Sequence, residues 1–121
     1  MKVELPRYPA YRAAESDWLG EIPTGWQAVQ LARLNTKLTN GFVGPTRDIL
    51  REEGVRYLQS LHIKGGRIVF DTPYFVSDKW SADHSKSVLK TGDALIVQTG
   101  DIGQVATVTD EFAGCNCHAL I

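Results

Sequence analysis

The sequence predicts a small, predominantly β domain of the α+β class, built from short strands with one or two short helices. Between Lys90 and Val108 turn and strand chemistry alternate twice in nineteen residues. Thr91, Gly92 and Asp93 form a turn, Ala94 to Gln98 a β-branched apolar run, Thr99 to Asp101 a second turn, and Gln104 to Thr109 a second run. A second hairpin is expected where Val55 to Ile63 (V-R-Y-L-Q-S-L-H-I) meets Arg67 to Phe70 across Gly65-Gly66. Helical patterns are short wherever they occur, so no helix organises the chain.

The remaining elements follow in order. Met1 to Gly25 carries prolines at 6, 9 and 23 with Tyr8, Tyr11 and Trp18, and has neither a 2.0 nor a 3.6 period. Proline fixes φ and disfavours helix before it, so residues 1–25 are expected to be an extended arm anchored by its rings, with residues 26–121 as the domain proper. Trp26, Val29, Leu31, Leu34 and Leu38 stand among polar residues as a strand running into one or two helical turns, ended by Asn40-Gly41. G-F-V-G-P-T (Gly41 to Thr46) is a loop with an exposed-looking Phe42. Pro45 and Thr46 then open a short helix over Arg47 to Glu53, stopped by Gly54. Tyr74 to Val76 is a brief apolar segment, and Ser77 to Ser87 is a surface loop or a short helix. Asp110 to Gly114 turns the chain, C-N-C-H-A-L-I begins another strand, and the pattern stops at Ile121 as though the sheet were unfinished.

A chain of 121 residues is one domain or part of one, and 43% hydrophobic with 22% charged residues argues for a folded chain. It contains no apolar run of membrane-spanning length and no signal-peptide core, which predicts a cytoplasmic protein without a membrane partner. Net charge is −1, yet residues 31 to 90 hold ten Lys/Arg against six Asp/Glu. A mixed solvated surface and a DNA-facing patch explain that local excess equally well.

Cys115, Cys117 and His118 offer three metal ligands, with His62 or His84 as a fourth. On a strand the two cysteines face one way and His118 the other, so small buried thiols are the simpler reading, and no metal or cofactor is expected. A Cys nucleophile with His84 as base lacks an orienting group. G-D-I-G lacks the Lys and Ser/Thr of a phosphate-binding loop. Trp18 and Trp80 suit base stacking, but an isolated tryptophan more often covers core.

Two segments carry a family resemblance. S-D-W-L-G-E-I-P-T-G-W (Ser16 to Trp26), followed by V-Q-L-A-R-L and an N-G loop, resembles the start of a type I restriction-modification specificity subunit. Leu89 to Ala106, reading L-K-T-G-D-A-L-I-V-Q-T-G-D-I-G-Q-V-A, resembles the later half of the same family's target-recognition domain. The two occur in the family's order, and the resemblance spans almost the whole chain. It implies strands wound in a helix-like or barrel-like manner. It also implies a non-catalytic subunit that reads double-stranded DNA while modification (methyltransferase) and restriction subunits perform the chemistry. The chain departs from the family in length, since a whole subunit is several times longer. It also has Asn116-Cys117 where the family places Asn followed by Gln. The expectation is therefore a truncated first recognition domain whose unfinished strand edge either pairs with another copy or leaves the fold marginal.

Loop position and side-chain chemistry nominate the DNA contacts: Thr46 and Arg47 on the Gly/Pro loop; Gln59, His62, Lys64 and Arg67 around the hairpin turn; Lys79, Ser85 and Lys86 in the polar segment; Gln98 and Thr99 at the second turn of Lys90 to Val108. Gln pairs with adenine and Arg with guanine, while Lys more often meets phosphate. Two other readings stand beside this one: an aromatic arm that docks a methyltransferase without reading DNA, and a Cys/His metal or hydrolytic domain.

Overall fold

Turn residues cut the chain into strands only two to four residues long in the computed structural model, which describes residues 4–121. The protein is α+β and mostly β, with few helices and several small sheets. It divides into two compact units, one ending at Lys37 and one spanning Leu38–Ile121. Among the described residues, no helix is long and apolar enough to cross a membrane.

In the first unit, β1 (Tyr11–Ala13) and β2 (Glu21–Pro23) pair antiparallel, with Arg12 opposite Ile22, around a 3-10 turn at Asp17–Leu19. The extended backbone expected beside the prolines is present, but it is folded back as a hairpin and does not run as a single arm. Arg12 ties it together by donating to the Trp26 carbonyl at 2.7 Å and pairing with Glu15 at 2.9 Å. Tyr8 packs edge-on against Tyr11 and Trp26. The strand expected after Trp26 is absent. Val29, Leu31 and Leu34 are exposed instead, and a 3-10 turn forms at Leu31–Arg33. No residue of 4–37 is buried, and Trp18 is 83% exposed.

The second unit opens with Gly41 and Phe42, whose N–H groups donate to the Leu120 and Cys117 carbonyls. Phe42 is half-buried rather than exposed. The helix expected over Arg47 to Glu53 does not form. Thr46 instead accepts from the Ile49 and Leu50 N–H groups, and β3 (Leu50–Arg51) follows. A turn there leaves Leu50 free to meet Val76 across the sheet, which a single isolated apolar pair on a helix could not match. β4 (Val55–Leu58) then pairs with the opposite side of β7 (Phe75–Val76), so β3 and β4 grip β7 from both edges. Gly54 makes that arch with φ +132°, and a Cβ on it would overlap the Val76 carbonyl oxygen.

The predicted long hairpin shortens to β5 (Ile63–Lys64) and β6 (Arg67–Ile68) across Gly65-Gly66. The first half of Val55 to Ile63 belongs to the four-stranded sheet, where Tyr57 and Leu58 are buried on both sides. The polar segment is a short helix, α1 (Asp78–Asp83), whose Ser77 cap accepts from the Trp80 N–H at 3.1 Å. The paired runs of Lys90 to Val108 form β8 (Ala94–Ile96) and β9 (Val105–Thr107) as expected, one or two residues shorter at the ends. Asn116 and Cys117 form β10, parallel to β4, and Ile121 pairs back onto Ile96.

The core collects Leu58, Ile63, Leu89, Leu95, Val97, Ala106, Val108, Phe112, Cys115, Cys117 and Leu120. Each large aliphatic side chain so placed contributes roughly 1.5–3 kcal/mol relative to exposure. Four polar residues are buried beside them, His62, Ser81, Ser87 and Asn116, and Asn116 joins two of the others. The Asn116 amide oxygen accepts from Ser87 Oγ (2.6 Å) and the Cys117 N–H (2.9 Å), and its nitrogen donates to Ser81 Oγ (3.1 Å) and the His84 carbonyl (3.2 Å). All the capacity of the amide is used.

Asn116→Ala is expected to lower unfolding stability by about 2–4 kcal/mol in urea titration, because the buried Cys117 N–H loses its partner. Gly54→Ala is expected to cost about 2 kcal/mol or more in the same assay, from backbone strain and overlap at Val76.

Candidate nucleic-acid interface

The structure gathers most of the nominated contact residues into two neighbourhoods, sets Thr46 and Arg47 on a turn of their own and buries His62. Around the β5–β6 hairpin lie Gln59, Lys64 and Arg67. The Gln98 to Gln104 loop runs beside them, since a Cβ on Gly100 would stand 3.5 Å from Ser60 Oγ. Lys64 and Arg67 are exposed and directly opposed across the hairpin. Lys64 is ion-paired with Asp71 at 3.0 Å, whereas the Arg67 side chain has no ion pair or hydrogen bond among the described residues. Gln59 and Gln98 are half-buried, and Thr99 is exposed.

His62 is not a surface contact. It is fully buried, its Nδ1 accepts from the Gln59 N–H at 2.9 Å, and its Nε2–H donates to the Thr72 carbonyl at 2.6 Å. Both ring nitrogens are committed, which fixes the neutral Nε2–H tautomer, and burial pulls the imidazole below its usual pKa. Its position beside a turn made it look like a reading residue; the ring instead clamps the hairpin base, packing on Phe70 at 4.9 Å.

The second neighbourhood is built by α1 and the 3-10 turn at Ser85–Ser87. Lys79 and Ser85 are exposed there, and Lys79 pairs with Asp83 one helical turn away at 2.8 Å. Lys86 lines a shallow cleft of about 340 Å³ together with Asn40, Phe42, Val43, His84 and Ser87. Thr46 is half-buried by its turn. Arg47 is exposed and has no partner among the described residues.

An aromatic and imidazole cluster beside this cleft was not anticipated. Trp80 stacks on His84 at 3.9 Å and 14°, Phe42 meets both edge-on, and the Tyr57 hydroxyl lies 3.2 Å from His118 Nδ1. The one local signal was the four-residue spacing of Trp80 and His84; Tyr57 and His118, 61 residues apart, left none. Burial raises the Tyr57 phenol and lowers His118, so both stay neutral near pH 7. His84 Nδ1 faces the Trp80 carbonyl at 2.8 Å and therefore carries the proton. The arrangement is a ring platform beside the Lys86 side chain, suited to stacking or to holding a phosphate.

Cys115 and Cys117 are buried free thiols, and burial pushes Cys115 above the usual thiol range. Beside Cys115, Arg56 is wedged 4.8 Å over the Phe112 ring and donates to the Glu111 carbonyl. Among the described residues, no three His, Cys, Asp or Glu side chains converge as a metal-binding set. No protein-family model matches the chain, and no curated protein matches it.

The lowered pKa values of His62 and His118 set a pH dependence. As pH falls, the unfolded chain takes these protons first, so their contribution to stability is complete above about 6.5 and is lost as pH drops through the folded-state values. The urea midpoint is expected to be level from pH ~7 to 8 and to fall below ~6.5, and His62→Gln to flatten part of that fall.

Proposed function

We propose that this chain is a DNA-reading element of a type I restriction-modification specificity subunit, directing modification and restriction subunits that carry the chemistry. The observation that carries this reading is the pair of sequence signatures, Ser16 to Trp26 and Leu89 to Ala106, which stand in the family's order along the chain. The structure adds support of a coarser kind. In the second signature Leu89, Leu95, Val97 and Ala106 are core residues, as a scaffold for loops requires. Short strands and exposed turns carrying Arg47, Lys64, Arg67 and Thr99 are consistent with readout by loop side chains. The wound strand arrangement of that domain type belongs to this proposal, as does the absence of catalytic work by the chain itself. Sequence specificity in such a reader depends on a few base contacts, since Leu38–Ile121 has eight Lys/Arg against ten Asp/Glu and offers no general attraction for phosphate.

A second reading has its own observation. The residues of 4–37 bury no side chain and expose Leu5, Tyr8, Trp18, Trp26, Leu31 and Leu34. An isolated two-stranded hairpin is marginal in water, and so large an apolar surface favours a protein partner, with the methyltransferase subunit as the occupant implied by the same resemblance.

Titration of the chain with mixed-sequence duplexes at ~50 mM and ~200 mM salt is expected to show weak binding at the lower salt that falls only modestly as salt rises, because few phosphates are neutralised. No binding at the lower salt would leave only the docking role.

A further inference from the structure

The β5–β6 hairpin carries an arrangement that folding alone does not reward. Lys64 and Arg67 are direct cross-strand partners, and like charges in that position oppose strand pairing. Asp71 relieves Lys64, but no described residue does the same for Arg67. Between them Gly65 and Gly66, at φ +58° and +78°, make the turn that suits a two-residue hairpin. No atom lies within 4 Å of where a Cβ would stand on either glycine. The tip therefore projects into open space with a bare backbone flanked by two cations.

The base of the same hairpin is rigid. Ile63 is buried, Ile68 packs against the core, and the Val69 N–H donates to the His62 carbonyl at 2.7 Å. His62 in turn holds Gln59 and Thr72. Other cations are differently placed. Lys79 is engaged by Asp83, and Arg51 folds back on the Asp48 and Leu50 carbonyls. Arg56 is wedged against Phe112. Arg47 is exposed, but it lies in a turn outside any strand pair, beside Asp48.

We propose that the Lys64–Arg67 tip enters the major groove of duplex DNA, where Arg67 reads a guanine edge and Lys64 exchanges Asp71 for a backbone phosphate. This rests on the DNA-reading function proposed above and specifies which part of the surface performs it. A two-stranded ribbon fits the major groove, and the arginine fork matches the two acceptors of guanine. The glycine turn removes the side chains that would keep the backbone from the groove wall.

The test uses the full chain and duplexes bearing a randomised segment, enriched by repeated binding at ~50 mM salt, with affinities then measured at two salt concentrations. The wild-type chain is expected to enrich a motif containing a guanine. Arg67→Gln is expected to lose the preference at that position and to bind the wild-type motif about tenfold more weakly. Arg67→Lys should keep the salt dependence and still lose the preference, because it keeps the charge without the fork. It also carries the test if the glutamine variant unfolds. Lys64→Gln should weaken all sequences alike and lower the salt slope by about one. Lys90→Gln, with the same charge change elsewhere, should alter neither property.

Enrichment of one motif by both the wild type and the two Arg67 variants, at equal affinity, would overturn the placement and leave DNA reading intact at another surface. Duplex binding with no enriched motif would overturn the base-reading role of Arg67. Failure of the wild-type chain to bind any duplex would remove the DNA reading itself, and this placement with it.

Discussion

Asn116 is fully buried beside the apolar core, and each of its four amide hydrogen-bonding positions is filled by a different part of the second unit. Ser81 comes from α1, the His84 carbonyl from that helix's end, Ser87 from the following 3-10 turn and the Cys117 N–H from β10. An unpartnered buried amide costs more than a satisfied one returns, so these four pieces are constrained to meet together. The consequences spread outward. With α1 held against β10, Trp80 and His84 stack beside Phe42, and β10 lies parallel to β4, placing His118 next to Tyr57. The sequence departure noted at Asn116-Cys117 falls at this junction. Cys117 fits it as a small buried residue whose thiol reaches the Ser87 carbonyl.

A second constraint is the arch in which β3 and β4 hold β7 from both sides across Gly54. It explains why a segment with helix-start chemistry becomes strand: Leu50 and Arg51 gain a ladder with β7 that an isolated short helix could not supply. Together with the His62 clamp, it produces a rigid base from which the β5–β6 tip and the Gln98 to Gln104 loop project. Burial and exposure are thus divided between neighbouring residues of one short segment, His62 inward and Lys64 and Arg67 outward.

Charge in the second unit is used with economy. Several cations are paired locally, and acids outnumber them, so any polyanion partner must be engaged through particular side chains rather than by a general field. Residues 4–37 present the opposite problem, with exposed apolar side chains and none of their residues buried. The proposed reading surface on the second unit and the proposed docking surface on the first are compatible with each other.

The sequence by itself determined the features whose causes are local: the α+β class, the paired strands between Lys90 and Val108, the Gly65-Gly66 turn, the short helix option at Ser77 to Ser87, and the exposure of Lys64, Arg67, Lys79 and Thr99. Turn chemistry and alternation act over a few residues, so they are legible without the fold. Only the tertiary structure decided that Asn116 is a buried junction, that His62 is a clamp rather than a contact, and that Arg67 lacks the carboxylate that Lys64 has. It also decided the parallel pairing of β10 with β4 and the meeting of Tyr57 with His118. Each of these depends on which distant segments close on one another, and a polar side chain carries no mark in the sequence of whether its partners will be water, protein or a ligand.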